Sequence, residues 1–409
     1  MDAVVQEKQV IPILKNRNFL LLFIGSLFSA PGYYVYLIGA EWLMLSLNDN
    51  RFYFGMLFFA ASIPRLLLLT MGGIVADRYN KRTVLFISDL SRALLIVILL
   101  VLLYLDAVSA WHLIGLAALF GIADAFSYPV INSLTPMVLE ENQLQRGNSF
   151  IQMTMQISPI FGPALGGTLI AVLGFKGVFT VACVMLLAAS VTVIFIRLKP
   201  EETPIVSSPW EDLKEGYRYA RRNRLILSIV SMGFFINFFF TGPYTIGIPI
   251  IVKDIFQSSS ISLAIVQTAM GVGALIGAIF LASKKLKKPG ITMLTSLALL
   301  GCIYTSIGMS SYLYLTAVLV AMMAFLLQLI NIPITTVLQE TTEKRMLGRM
   351  MSLLMTVSTG LIPVSYIATS LLIAMGLSIL TIIMVSGLVI LFIALYNLKN
   401  KPLRTLGTS

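Results

Sequence analysis

Long apolar runs without a single charge constrain this chain more than any other feature of its sequence. Gly177 to Ile196 and Leu377 to Tyr396 each span 20 residues with no acidic or basic side chain. About 20 apolar residues suffice for a helix to cross the hydrocarbon core of a bilayer. Only 11% of the 409 residues are charged, against about 25% in soluble domains. The sequence therefore predicts an all-α membrane protein that crosses the bilayer many times.

Polar clusters divide the chain into twelve apolar segments, each of which predicts a transmembrane helix. The predicted spans are 18–47, 53–76, 83–105, 111–138, 146–173, 177–197, 225–252, 259–283, 290–309, 312–338, 346–374 and 377–397.

A weak internal repeat divides these segments into two sets of six. At an offset of 204 residues, Gly73 corresponds to Gly277 and Pro129 to Pro333. Membrane transporters are often built from two such halves, with the substrate bound near the midplane between them. We therefore expect two pseudo-symmetric six-helix bundles, 1–197 and 225–409, joined by a linker over 198–224.

The basic residues predict the orientation of the chain in its membrane. Of 29 Lys and Arg residues, 24 lie on the side of the two termini, whereas the opposite loops contain only Arg51, Lys176 and Lys253. Because positive charge accumulates on the cytoplasmic side, both termini are expected to be cytoplasmic, in a bacterial cell membrane. The net charge of +11 then reflects topology and attraction to anionic lipids, and it does not indicate a nucleic-acid partner.

The most charged short run of the first half, GGIVADRYNKR from Gly72 to Arg82, lies between the second and third segments. It resembles the loop signature of the major facilitator superfamily, except that Asn80 occupies a position where Gly is usual. Asn adopts the left-handed turn conformation more readily than most residues do. The resemblance implies a latch between the two halves, formed by Gly73, Asp77, Arg78 and Arg82. A simple basic turn is the alternative interpretation.

A second motif, SPIFGPALGG from Ser158 to Gly167 in the fifth segment, resembles a signature of exporters in this superfamily. The residues that carry it are Gly162, Pro163, Gly166 and Gly167. Small residues let helices cross closely, and a proline permits a bend, so ordinary helix packing is the alternative. The stretches SDLSRALL and LQETTEKRMLGRMMSLL resemble the branch that contains macrolide exporters and the enterobactin exporter.

These resemblances imply a secondary active transporter that exports a drug-like or siderophore-like small molecule by alternating access, as a proton antiporter. Such a pump would contribute to antibiotic resistance. Uptake symport, lysophospholipid flipping, a channel and a receptor-like sensor are the alternatives. The chain has one His and contains no GxSxG, HExxH or GxxxxGK[ST] motif, which argues against an enzyme or an ATP-driven pump. We expect no cofactor, no metal site and a monomer.

Ionisable residues inside apolar segments are costly and often functional. Asp124 and Arg65 are placed near the midplane of the fourth and second segments, and Glu41 below the outer end of the first. Asp124 is the leading proton-coupling candidate, and a permanent ion pair with Arg65 or direct substrate contact is the alternative. Glu41 is either a second proton carrier or a solvated acid of the vestibule. Asp89 and Arg92, spaced i, i+3, are expected to form a structural pair.

Aromatic and amide side chains are expected to line a central cavity. The superfamily architecture places them there: Tyr33, Tyr36, Phe126, Tyr128, Asn237, Phe238, Gln267, Gln328 and Asn331. Such a lining suits large, partly apolar compounds. Packing in the core or against lipid is the alternative for each aromatic residue, and hydroxyl-rich ligands such as sugars are an alternative substrate class.

Overall fold

The computed structural model describes residues 13–140, 143–197, 217–218, 221, 224–283, 286, 288–342, 346–399 and 401–404. All regular secondary structure in these ranges is helical. The α-helices are α1 Arg17–Leu47, α2 Phe52–Arg78, α3 Lys81–Tyr104, α4 Ala110–Val138, α5 Leu144–Ile194, α6 Arg224–Ile250, α7 Ser260–Ser283, α8 Pro289–Gly308, α9 Leu313–Thr341, α10 Leu347–Gly360, α11 Ile362–Ala374, α12 Ile379–Asn397 and α13 Lys401–Arg404. A 3₁₀ turn, Ile13–Lys15, precedes α1, and a π-helical segment, Ile251–Ile255, continues α6.

The helices follow the predicted segments and confirm the all-α class. α5 covers the fifth and sixth segments and turns at Gly174, whose φ of +67° favours glycine. The eleventh segment is split into α10 and α11 at Leu361, just before Pro363, which cannot donate a backbone hydrogen bond. In the described residues nine helices are long and apolar enough to cross a membrane. The number of twelve crossings stays a prediction.

The helices pack mostly within each half of the chain. In the first half α5 lies against α1 and α3, and α4 against α2. In the second half α7 and α8 lie against α9, while α12 packs on α6 and α8. The halves meet where α5 packs on α7 and α2 on α11. The division at 198–224 stays a prediction, because most of that stretch lies outside the described residues.

The helix bundle has two ends. We call the end at which α1 begins and α12 finishes the terminal end. The distal end is the opposite one, where α1 finishes and α6 passes into the π-helical segment.

Glycines bring several helices into close contact. A Cβ atom added to Gly121 of α4 would collide with the backbone of Ala61 in α2, and one added to Gly273 of α7 with the backbone of Ala321 in α9. Within a membrane, helix association relies on such close packing more than on hydrophobic burial. Gly121 therefore fixes the spacing that places the charged residues of α2 and α4 side by side, and Gly273 fixes the spacing of α7 and α9.

Gly121→Ala tests this packing. The added methyl group must push α2 and α4 apart, which should destabilise the protein by about 1–3 kcal/mol and lower its thermal unfolding midpoint in detergent. Gly115→Ala in the same helix is the matched control, since a Cβ there would meet nothing within 4 Å. Equal midpoints for the two variants would contradict the proposed role of Gly121.

Candidate functional site

Four charged side chains from three helices form one network inside the first half. The Nε atom of Arg65 in α2 lies 3.2 Å from Oδ2 of Asp124 in α4. The other carboxylate oxygen of Asp124, Oδ1, accepts a hydrogen bond of 3.2 Å from Nη1 of Arg92 in α3. Arg92 also donates from Nη2 to Asp89, one turn earlier in α3. Two positive and two negative charges thus balance, as a charge cluster in a membrane requires.

The inner half of this network is almost completely buried. The side chains of Asp89 and Arg92 are 2% and 3% exposed. Ser29 of α1 donates to Asp89 at 3.1 Å, and Nη2 of Arg92 donates to Ser127 of α4 at 2.9 Å. The ring of Phe120 lies 5.9 Å from the guanidinium carbon of Arg92, within the range of a cation–π contact. The network therefore ties α1, α3 and α4 together.

The outer half of the network, Asp124 and Arg65, is more exposed. The side chain of Asp124 is 16% exposed and that of Arg65 is 47% exposed. The expected Asp89–Arg92 pair is present, and so is the Asp124–Arg65 pair, which was the alternative to a proton-coupling role for Asp124. The bond between Arg92 and Asp124 that joins them was not predicted. No spacing within the sequence could have found it, because the register of α3 against α4 decides it.

Glu41 lies apart from this network, where α1 of the first half faces α7 of the second. It is 3% exposed, and its Oε2 atom accepts a hydrogen bond of 2.9 Å from Nε2 of Gln267. Among the residues that the structure describes, no Lys or Arg forms an ion pair with it. The expectation of a solvated vestibule acid is thus wrong here, because the packing of the two halves covers this carboxyl.

Charged residues clamp the halves together at the distal end. Arg51, which precedes α2, binds Asp254 of the π-helical segment through two hydrogen bonds of 2.7 and 2.6 Å. Carbonyl oxygens of Leu45 and Asn48 accept bonds of 3.0 and 2.8 Å from the same guanidinium and hold it in place. We call Arg51 and Asp254 the distal clasp. Paired hydrogen bonds of this kind are strong and directional.

Further contacts close the interface beside the clasp. The Nζ atom of Lys253 donates to Ser46 of α1 at 3.2 Å and lies 5.7 Å from the ring centre of Trp42. At the start of α7, Ser260 donates to the carbonyl oxygen of Gly167 in α5 at 3.1 Å. These bonds join the halves from the distal end inwards, so this conformation is closed at its distal end.

The predicted latch is described only in part. The side chains of Gly73, Asp77 and Arg78 lie outside the described residues. Arg82 donates to the carbonyl oxygens of Ile194 and Ile196 at 3.4 and 3.2 Å. Arg82 therefore neutralises the negative end of α5 within its own half. Its described bonds do not cross to the second half, and the latch stays a prediction.

The motif of the fifth segment lies where three helices meet. A Cβ atom at Gly162 or Gly166 would collide with α1, whereas one at Gly167 would collide with Ala264 and Ser260 of α7. Pro163 between them is buried. The motif thus provides close packing both inside the first half and across the interface. Its implication of export stays a prediction.

The predicted cavity residues lie in different environments. Tyr36 is buried and stacks on Phe120 at 4.3 Å, so it belongs to the core and not to a cavity lining. Gln267 is engaged with Glu41, and Asn237 donates to Gly233 in its own helix. Half-buried or exposed positions are found for Tyr33, Phe126, Phe238, Gln328 and Asn331, while the side chain of Tyr128 lies outside the described residues. Their contact with a substrate stays a prediction.

An apolar groove of about 470 Å³ lies between α5, α7 and α9. Its lining consists largely of small side chains such as Ala164, Ala264 and Ala321. None of the predicted coupling or cavity residues lines it. The charges that could bind a proton or a polar group lie elsewhere, so we place the candidate site at Arg65, Asp124 and Glu41.

Comparisons with known proteins agree with this architecture. The family model described as Major Facilitator Superfamily matches residues 22–365. The chain belongs to the Major Facilitator Superfamily. It is 27% identical to the Staphyloferrin A transporter of Staphylococcus aureus over 70% of this chain and 72% of that protein. It is 23% identical to Macrolide efflux protein A of Streptococcus pyogenes over 73% and 75% of the two chains.

A solved structure shares the fold. A bacterial homologue of the human lysosomal transporter Spinster matches with a TM-score of 0.64 at 14% identity, over 96% of this chain and 97% of that chain. Membership of the superfamily makes the protein a multi-pass membrane transport protein and not an enzyme. The predicted resemblance to the drug and siderophore branch is confirmed by the relatives. Orientation, lipid contacts and the monomeric state stay predictions.

Asp89→Asn and Arg65→Gln test the energetics of the charged network. Each variant removes one charge, but Asp89 is buried and Arg65 is half-exposed. The Asn variant should lose about 3–5 kcal/mol of its free energy of unfolding, because Asp124 alone must then balance two guanidinium groups, one of them buried. The free energy of unfolding of Arg65→Gln should fall by far less, because Arg65 is half-exposed. Thermal unfolding in detergent measures both, and equal losses would show that burial does not govern this network.

Charge reversal tests the distal clasp. Arg51→Glu and Asp254→Arg should each favour opening of the distal end, because two like charges then face each other, and the double reversal should restore closure. Destabilising the closed state by about 1 kcal/mol relative to the open state would raise the ratio of open to closed molecules about fivefold. Spin labels on Ala107→Cys and Ser311→Cys, with both native cysteines replaced by Ala, report the distance between the halves.

Lys176→Glu is the control for this experiment. It makes the same change of charge at the distal end, but its side chain lies against Tyr104 of the first half, 4.5 Å from the ring centre. Distances in Arg51→Glu that match those in Lys176→Glu would show that the clasp does not hold the halves together.

Proposed function

We propose that this protein is a secondary active transporter that exports a hydrophobic or amphipathic small molecule in exchange for protons. One observation carries the proposal: a buried carboxyl, Glu41, forms part of an interface between the halves that must open for alternating access. Macrolide efflux by a relative supports the direction and the type of substrate.

The two halves alternate by making and breaking the distal contacts. In the closed state, the clasp and the contacts of Lys253 and Ser260 hold α1, α2 and α5 against α6 and α7. Rocking of the halves breaks these bonds and opens the distal end, while contacts at the terminal end form in their place. If the terminal end is cytoplasmic, as the basic residues predict, the closed state takes up its substrate from the cytoplasm.

Asp124 and Glu41 differ in what balances their charge. Asp124 contacts two guanidinium groups, so its negative charge is compensated in place. A charged Glu41 would have one amide hydrogen bond and no cation among the described residues. Burying an uncompensated charge costs several kcal/mol. Protonation removes this cost, and for this reason we assign coupling to Glu41 and a permanent ion-paired role to Asp124.

The coupling cycle follows from this assignment. When the distal end is open, Glu41 is in water and binds a proton from the outside. The neutral carboxyl can then be covered by α7, so the distal end closes. Loss of the proton towards the terminal end makes the closed state costly again and drives the next opening. We propose that this opening occurs with the compound bound, so that its export is linked to the entry of a proton.

Glu41→Gln tests the coupling. Gln keeps the shape and cannot ionise. Accumulation of a labelled macrolide or of dansyl-phenylalanine, whichever compound the wild-type protein accumulates in inside-out vesicles with an acidic lumen, should therefore fall at least about tenfold, since a fixed neutral group cannot carry a proton. Exchange of the same compound without a gradient should continue. Glu140→Gln, at an exposed position outside this interface, is the matched control.

Three outcomes separate the alternatives. Normal accumulation by Glu41→Gln together with its loss in Asp124→Asn would transfer the coupling role to Asp124. Normal accumulation in both variants would exclude protons bound at either acid. Gradient-driven transport in right-side-out vesicles alone would replace export by uptake.

A further inference from the structure

A half-exposed guanidinium faces the space between the two halves. Phe58, Ser62 and Arg65 lie on one face of α2, at successive helical turns. The ring centre of Phe58 lies 5.3 Å from that of Tyr366 in α11, so this face points towards the second half. Arg65 follows two turns nearer the terminal end, where its side chain is 47% exposed. We infer that Arg65 binds the negatively charged group of the transported compound, which is an organic anion.

Arg65 has donors available for such a ligand. Its Nε atom is directed at Asp124, and it forms no other hydrogen bond or ion pair to the residues that the structure describes. The two terminal nitrogens can therefore bind both oxygens of a carboxylate side by side. This fork-shaped geometry is the arrangement in which guanidinium groups recognise carboxylates most strongly.

The burial of the network favours an anion over a cation. Asp89 is buried, and Asp124 is 16% exposed with both carboxylate oxygens already engaged by Arg65 and Arg92. A cationic compound would meet a carboxylate whose charge is already compensated and two guanidinium groups that repel it. The accessible charge of an otherwise balanced cluster is thus positive, and a ligand with a negative group meets it without disrupting an existing pair.

Aromatic residues define the rest of the ligand. Tyr33, Tyr34 and Tyr366 lie close enough to Arg65 to interact with it electrostatically. Their rings offer apolar contact, and the hydroxyl group of a tyrosine can donate to an oxygen atom of the ligand. A compound that combines one carboxylate with an aromatic or aliphatic body satisfies both parts of this environment.

Matched ligand pairs test the inference on the full-length chain in lipid nanodiscs. Binding of a panel of aromatic carboxylates, beginning with dansyl-phenylalanine, is compared with binding of the corresponding primary amides. A charged hydrogen-bond pair should favour each carboxylate about tenfold or more. Arg65→Gln should reduce this preference to less than about threefold, Arg65→Lys should retain part of it, and Ser62→Ala on the same helix face should leave it unchanged.

A double variant keeps the test decisive if Arg65→Gln folds poorly. Arg65→Gln with Asp124→Asn restores the charge balance, and it too should lose the preference for carboxylates. Equal binding of acids and amides, an unchanged preference in both Gln variants, or no binding by any carboxylate of the panel would overturn the inference.

The inference rests on the proposed function, but the two fail separately. Binding in nanodiscs needs no gradient and no direction of transport. A preference for carboxylates could therefore persist if the vesicle experiment showed uptake, and proton-coupled export could persist if the preference were absent.

Discussion

The guanidinium group of Arg92 is the interaction on which the first half of this transporter depends. It reaches Asp89 in its own helix, Ser29 in α1, and both Ser127 and Asp124 in α4. Asp124 in turn forms an ion pair with Arg65 in α2. A charge this deeply buried is tolerated only when it is paired and hydrogen-bonded. The four helices must therefore hold their positions around it, which makes the network a rigid support for the half-exposed Arg65.

The interface between the halves, by contrast, is held by polar contacts that do not depend on a buried charge. Its described polar contacts are few and can be broken: the distal clasp, the bonds of Lys253 and Ser260, the bond of Thr268 to the carbonyl oxygen of Ile160, and the pair of Glu41 with Gln267. None of them requires both partners to be buried and fully charged at once. Water can replace these contacts when the halves separate, whereas nothing could replace the partners of Arg92. The difference explains how one half can move as a unit while the interface opens.

Two acids that look similar in the sequence differ in this respect: one belongs to the charge network and the other to the interface between the halves. Asp124 and Glu41 both interrupt apolar segments, and distance from the segment end places Asp124 nearer the midplane. The structure surrounds Asp124 with two cations and Glu41 with an amide. Under the assignment that we propose, depth in the membrane does not decide which acid binds the proton. The charges that face an acid from neighbouring helices matter more.

The sequence by itself determined the helices, their order and the superfamily. Uncharged runs of about 20 residues must become helices in a bilayer, where each backbone group needs a partner within its own segment. Local rules also predicted the turn near Gly174 and the i, i+3 pair of Asp89 and Arg92. Only the tertiary structure decided that Arg92 reaches Asp124, that Tyr36 is part of the core, and that Glu41 is covered by Gln267. These contacts join residues between 32 and 226 positions apart in the chain or depend on which face of a helix is covered. They are set by the rotation and register of whole helices against one another, and no local pattern of residues encodes those two quantities.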